Sequence, residues 1–511
     1  MSSNKQEKQQ WSGKWMFIFA AVSSAVGLGN IWRFPFTAFE NGGGAFVIPY
    51  LFATVAMGIP LMLLEFTYGS KFRGTTPLSF ARVGRKYEFV GWIPSLIAGA
   101  IIFYYGAILV WALNYAIFAF NKSWGTDTAS FFLNDFLGNT GHALQFGGIN
   151  WPVMIGLVVL WVPSYFVLAK GVKKGLEKVN LIILPLMFIF AVLTIIRGVT
   201  LTNAAYGLNT FFTPNFERML DPLVWLAASG QAMFSLSLCM GIMVTYSSYM
   251  KKGTEIVNTS FLIATMDMMF AFMFTVGIFG ILGYMAYAAG TDIHSVAGGA
   301  GLVFITLPVA LNHMGTWGYI VGVGFFLMLA ITGWTSFLSL MEAFVAPFVE
   351  KFGTTRRKMY LIMCIFGFFA SVVYATGAGN PVLGLVDHTV NNFGLIFVGL
   401  AQAVIAGWLV KKLPEFRDHI NGGGTLPYFK VGGAWMFAIK FIVPAVMGTN
   451  LIMVFVRIFG GNFPAPWMRA GELRDAAELI VWVGGTAFLI IVGSIVLSTI
   501  KWATPVDDYK K

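Results

Sequence analysis

The chain has 511 residues, of which 57% are hydrophobic and only 11% charged, against roughly 25% charged in ordinary soluble domains. A water-soluble protein of this composition would have to expose a large apolar surface, so the soluble classes are excluded. The net charge of +11 lies in short connections rather than on one polar domain, which excludes a nucleic-acid reading and points to membrane topology.

The apolar runs are about 20 residues long, the length a helix needs to cross roughly 30 Å of hydrocarbon. They lack the in/out alternation of a membrane barrel. The expected fold class is therefore all-α integral membrane with about twelve spans. Residues 1–12 form a polar tail, and no small-residue cleavage site follows the first apolar run. That run reads as a retained helix rather than a signal peptide. Spans are predicted near 13–39, 43–72, 90–120, 151–169, 178–197, 222–250, 256–286, 316–350, 359–376, 384–410, 434–458 and 478–500, with residues 501–511 as a second tail.

Basic residues cluster in the even-numbered connections. Arg73, Arg82, Arg85 and Lys86 follow the second span, and Lys170, Lys173, Lys174 and Lys178 follow the fourth. Lys251 and Lys252 follow the sixth, Lys351, Arg356, Arg357 and Lys358 the eighth, and Lys411, Lys412, Arg417 and Lys430 the tenth. The positive-inside rule then places both termini in the cytoplasm of a multi-pass inner-membrane protein. Cys239 and Cys364 both fall in apolar segments and imply no disulfide framework. The five histidines are scattered, without metal-ligand spacing.

Two spans contain weak helical stretches. The first is Ala21–Asn30, with two serines, two glycines and an asparagine, followed by Arg33 and Pro35. The other is Phe234–Gly241. Such residues cost helix stability. Unwound backbone at membrane depth survives only against protein or a watery cavity. Interruptions at matching places suggest two five-helix repeats, 13–200 and 222–410, followed by a pair of spans within 434–500. A broken helix offers free carbonyls to a hard cation such as sodium and free N–H groups to a carboxylate. A Gly-rich packing face also fits the first stretch.

The runs AVGLGNIWRFP and ENGGGAFVIPY, with GIPLMLLEF (58–66), RGTTP (73–77), GQAMFSLSL (230–238), TGWTSF (332–337) and Asp387, resemble the signature of the neurotransmitter:sodium symporters. The structural prototype of that family is the bacterial leucine transporter. The resemblance implies an inverted five-plus-five repeat (the LeuT fold) with broken helices 1 and 6, and sodium-coupled alternating access. It implies a first sodium site at Ala25, Asn30, Ser235 and Asp267, completed by the substrate carboxylate. A second sodium site would comprise Ser23, Val26, Thr332, Thr335 and Ser336. The positions 332, 335 and 336 share one helix face, although such hydroxyls also back-bond to their own helix. The implied substrate pocket is Ser24, Ala25, Gly27, Leu28, Gly29, Ile101, Tyr105, Phe234, Ser235, Ser237, Met240, Ser336 and Leu340. Arg33 and Asp387 resemble one gate pair, closing over Phe234 and Tyr105. Lys8 and Glu350 occupy the places of the opposite gate, where lysine lacks arginine's bidentate geometry.

Monoamine-transporting relatives carry an aspartate where this chain has Gly27, so the substrate is expected to bring its own carboxylate. The apolar Ile101, Leu340 and Met240 suggest a neutral, hydrophobic L-amino acid. The prototype has Asn in the place of Asp267, so a carboxylate here is expected to remove the need for chloride. Asp267 is also the candidate for proton coupling, and another small carboxylate-bearing solute is the alternative cargo. Cys239 replaces a family glycine and is expected to narrow the pocket or stiffen the break. Glu65 and Glu342 are expected to satisfy backbone groups near a break. An enzyme would need a nucleophile–base pair or metal cluster, against which the scattered histidines argue, and paired broken helices with opposed gates fit alternating access better than the continuous filter of a channel.

Overall fold

The structure, a computed structural model, describes residues 9–290, 292–293, 302–422, 430–459, 468–469, 472–473, 475–503 and 505–507. Ten helices among the described residues are long and apolar enough to cross a bilayer. They are Gly44–Phe72, Arg85–Phe118, Trp151–Ala169, Val172–Val199, Val257–Ala288, Thr316–Phe352, Arg356–Ala375, Gly379–Leu409, Gly433–Val456 and Ala476–Thr499. Before them, Lys14–Ala25 and Gly29–Glu40 form one span bent by 47°. Between Val172–Val199 and Val257–Ala288 lie Pro222–Ser235 and Ile242–Ser248, each too short to cross alone. Counting each interrupted pair as one gives the spans, numbered 1 to 12 in chain order below.

Spans 3 and 8 are the longest, at 34 and 37 residues. At 1.5 Å per residue each is about 50 Å long, so they must tilt or project beyond the hydrocarbon. They pack against each other and form one wall behind the broken helices. Span 5 meets span 7 at Gly198, Gly277 and Gly280, where a side chain on Gly198 would collide with the backbone of Gly277. Small residues let the two backbones touch, which is how apolar helices gain packing in a solvent as apolar as themselves. Between spans 10 and 11 the short helix Leu413–Asn421 buries Leu413, Phe416 and Ile420. Phe416 packs on Tyr68 and Phe72, and Glu415 pairs with Lys71 at 3.0 Å. The strands among the described residues are one two-residue antiparallel pair, Met468–Arg469 with Glu472–Leu473.

Both predicted breaks exist. In span 1 helical bonding stops at Val26, whose ψ of 91° is extended. It resumes through a wide turn at Gly29–Arg33 and the helix Phe34–Glu40, which has Pro35 in its first turn. In span 6 the chain unwinds over Leu236–Gly241, with positive φ at Ser237 (52°), Cys239 (65°) and Gly241 (74°). Left-handed geometry costs a non-glycine residue about 1 kcal/mol or more, so neighbouring groups must hold it. Cys239 N–H donates to Glu65 Oε1 at 2.8 Å, Ser237 Oγ donates to the Ser24 carbonyl at 3.1 Å, and Thr76 Oγ1 donates to the Gly241 carbonyl at 3.2 Å.

Candidate substrate and cation site

The two breaks face each other across a cavity. It is lined by Ser24, Ala25, Gly27 and Gly29 of span 1, Ile101 and Tyr105 of span 3, and Phe234, Ser237, Met240 and Ile242 of span 6; Ser336 and Leu340 of span 8 complete it. Of the predicted pocket residues, Leu28 and Ser235 are absent from the lining, and Ile242 is added to it. Leu28 still contributes its backbone N–H, which donates to Tyr105 Oη at 3.4 Å. Ser235 is turned into the adjoining polar cluster instead. Ile242 was missed because it lies just past the break, where no helical period could assign it a face. The cavity has room for about 20 Å³, close to one water molecule. Seating a larger ligand therefore requires the lining side chains to move.

Gly27 is required by packing as well as by backbone freedom. A Cβ there would collide with Ser336 Oγ and stand 3.2 Å from Tyr105 Oη. Gly29 similarly lets the ring of Phe234 approach, with the ring 3.2 Å from where its Cβ would be. The absence of two side chains thus brings three elements within reach of one small ligand.

Beside the cavity, Asn30, Ser235 and Asp267 form a closed polar cluster, all three fully buried. Asn30 Nδ2 donates to Asp267 Oδ1 at 2.7 Å and to the Asp267 carbonyl at 3.0 Å. Ser235 Oγ bridges Asp267 Oδ2 at 2.6 Å and Asn30 Oδ1 at 3.1 Å. Among the described residues no Lys, Arg or His forms an ion pair with Asp267. A buried carboxylate is costly unless a cation or proton compensates it. Oxygen donors of this kind suit a hard cation. Ala25, the fourth predicted member, lies one residue before helical bonding stops.

A second cluster joins spans 1 and 8. Thr335 Oγ1 lies 2.7 Å from both the Ser23 and the Thr332 carbonyl oxygens. This brings together three of the five residues expected for a second cation, and Val26 lies at the adjoining break. Ser336 points elsewhere: its hydroxyl donates to the Ser24 carbonyl at 2.9 Å, which Ser237 also caps. Ser23 Oγ, Ser24 Oγ and Thr332 Oγ1 are buried without a hydrogen-bond partner among the described residues.

Phe234 separates the cavity from a vestibule of about 600 Å³ that Arg33, Glu40, Arg218, Gln231 and Asn391 help to line. The Arg33 guanidinium sits 4.3 Å from the Phe234 ring centroid, a cation–π contact. Asp387 accepts instead from Tyr104 Oη at 2.7 Å and Asn391 Nδ2 at 2.6 Å. Arg33 and Asp387 therefore make no ion pair within 4 Å, and the tyrosine hydroxyl on Asp387 is that of Tyr104. The side-chain partners already on each group replace the direct gate contact that the resemblance suggested.

At the opposite end Lys8 lies outside the described residues, and Glu350 accepts from the Thr75 N–H at 3.0 Å and Thr75 Oγ1 at 2.6 Å. The contacts there are made by Trp11, which the sequence did not single out, and by a cluster around Glu342. Trp11 is buried, donating from Nε1 to the Tyr246 carbonyl at 2.8 Å and from its backbone to the Tyr249 carbonyl at 3.0 Å. Glu342 accepts from Tyr249 Oη at 2.8 Å and Arg356 Nη1 at 2.8 Å, with Tyr360 also on it. Glu342 thus neutralises a cation rather than satisfying backbone, whereas Glu65 does hold a backbone N–H of a break. The usable signal was an acid in an apolar span, which demands a partner. Its identity, Arg356, was hidden in a basic connection. Cys239 also differs from expectation in part. Its sulfur faces Gln402 Nε2 at 3.4 Å and the Gly399 surface of span 10, away from the cavity. It therefore does not narrow the pocket.

The chain matches the Sodium:neurotransmitter symporter family over residues 8–131 and 125–500. It is 33% identical to the uncharacterized sodium-dependent transporter MJ1319 of Methanocaldococcus jannaschii, across 86% of this chain and 89% of that protein. It is 28% identical to the mouse sodium- and chloride-dependent GABA transporter 2, across 90% of this chain and 83% of that one. Among solved structures, MhsT in complex with L-phenylalanine superposes with a TM-score of 0.74 at 30% identity, covering 87% of this chain and 99% of that one. Ten long apolar helices among the described residues, with helices 1 and 6 broken opposite each other, agree with these matches: the chain belongs to the sodium:neurotransmitter symporter family and has the LeuT fold.

Proposed function

We propose that the protein imports a neutral, hydrophobic L-amino acid together with sodium, by alternating access and without a need for chloride. The observation that carries this reading is the polarity of the cavity beside Asp267. The lining combines the Tyr105 hydroxyl, the Leu28 N–H and the bare backbone of Gly27 and Gly29 with the apolar Ile101, Met240, Ile242 and Leu340. A carboxylate fits the first group and an aliphatic or aromatic side chain the second. The binding of L-phenylalanine by MhsT supports the same substrate class. Asn30, Ser235 and Asp267 are assigned to one sodium ion; Ser23, Thr332 and Thr335 are assigned to a second. The formal charge of Asp267 supplies the anion that chloride would otherwise provide.

The basic even-numbered connections lie on the side of Trp11 and Glu342, so that side is assigned to the cytoplasm of the inner membrane and the vestibule to the outside. The test is uptake of labelled amino acids into proteoliposomes. Inward sodium is expected to drive accumulation of phenylalanine or leucine, and equal uptake after choline replaces sodium would overturn the proposal. GABA relatives keep a second cargo in view, another small carboxylate-bearing solute. Competition by a panel of amino acids and GABA separates the two, with the hydrophobic amino acids expected to compete best.

A further inference from the structure

Lys440 is a cation inside span 11 with no acid beside it among the described residues. It lies seven residues after Gly433, the first residue of span 11, so its Cα is roughly 10 Å along the helix. Intramembrane Glu88, Glu342, Lys351 and Arg356 all have opposite charges beside them. Lys440 has none within 4 Å among the described residues. Its ammonium instead lies 4.9 Å from the Trp408 ring centroid and 5.6 Å from that of Phe441. These rings are not core. Trp408 is 46% exposed, Phe441 44%, Phe437 56% and Leu409 59%. On a membrane protein such a surface faces lipid.

The backbone around Lys440 is also shaped. Wide turns at Ile405–Leu409 of span 10 and Ala438–Ile442 of span 11 pack against each other. Trp408 Nε1 donates to the Lys440 carbonyl at 2.9 Å, fixing the indole against the lysine stem. Lys411 and Lys412 follow the end of span 10, three and four residues after Trp408. Of the nearby acids, Glu415 pairs with Lys71 at 3.0 Å, with Lys412 also close to it, and Asp418 pairs with Arg417 at 2.7 Å.

We propose that Lys440, Trp408, Lys411 and Lys412 form a binding site for the headgroup of an anionic phospholipid, in the leaflet on the side of the basic connections. Lysines at a helix end snorkel to the headgroup level, where a phosphodiester supplies the missing anion. The indole and Phe441 give the first acyl carbons an apolar wall. The occupant is a lipid rather than a free anion because the site opens sideways, through Phe437 and Leu409, into the hydrocarbon.

The test uses the purified full chain in a neutral detergent, titrated with phosphatidylglycerol or phosphatidylcholine and read by native mass spectrometry. Wild type is expected to hold phosphatidylglycerol in preference to phosphatidylcholine. Lys440→Gln should weaken phosphatidylglycerol about fivefold, and adding Lys411→Gln and Lys412→Gln should weaken it further by about the same factor each, with phosphatidylcholine unchanged. Lys440→Arg keeps the charge and should keep the lipid. Equal binding of the two lipids, full phosphatidylglycerol binding by Lys440→Gln, or equal loss in the Gln and Arg variants would overturn the proposal. Complete displacement of the lipid by inorganic phosphate would overturn the choice of lipid as occupant.

Discussion

Asn30, Ser235 and Asp267 surround a formal negative charge with side-chain donors, whereas Ser23, Thr332 and Thr335 meet through two carbonyls and one hydroxyl. Both clusters use the same interruption of span 1. As the proposed cation sites, the first would concentrate its affinity in one carboxylate, whose loss leaves nothing to replace it. The second would spread a weaker field over two carbonyls that no substitution removes and one hydroxyl that a substitution can remove. Specificity would then be chemical in the first and follow from the shape of two packed helices in the second.

The largest effect should come from removing the charge. Asp267→Ala deletes the acceptor of hydrogen bonds from Asn30 and Ser235 and the only acid of the cluster. Bonds to a charged group contribute roughly 1.5–3 kcal/mol each, so the sodium concentration for half-maximal substrate binding should rise at least ~100-fold. A shift of less than about threefold would place the cation elsewhere. Gly27→Ala tests the ground between the clusters. The new methyl group displaces Ser336 Oγ from the Ser24 carbonyl, and substrate affinity should fall roughly 10- to 100-fold, an overpacking cost of about 1–3 kcal/mol. Equilibrium binding of a labelled amino acid reads this directly.

Thr335→Val removes the hydroxyl that joins Ser23 to Thr332 while preserving shape. A net hydrogen bond is worth about 1 kcal/mol, so sodium affinity should weaken by roughly five- to tenfold, well short of the Asp267 variant. If the two variants were equally damaging, the contrast between a charged and a neutral cluster would fail. The smallest effect is expected from the anion. Replacing chloride by gluconate should change wild-type uptake less than about twofold, because the carboxylate already balances the bound cation. Strong chloride dependence would show that Asp267 does not supply that charge.

Much of this was legible along the chain because it follows from local chemistry. Apolar runs long enough to span, basic connections and glycine- or serine-rich flaws need no knowledge of neighbours. Two choices of partner escaped that reading. Glu342 could not be assigned to Arg356, Tyr249 and Tyr360, since these groups come from two other segments, span 9 and the end of span 6. Cys239 read as a residue that narrows the pocket or stiffens the break, yet the left-handed positions Ser237, Cys239 and Gly241 turn its sulfur toward Gln402.

The amino-acid sequence by itself determined that this chain crosses a membrane many times, where its helices weaken and which residue types gather at those breaks. The reason is that hydrocarbon length and helix propensity act residue by residue. Only the tertiary structure decided which faces meet: Asn30 and Ser235 on Asp267, Thr335 on Ser23, Glu65 under Cys239, and Trp408 against Lys440. These pairings span tens to hundreds of residues. They are set by helix packing that brings each buried polar group the partner its burial requires.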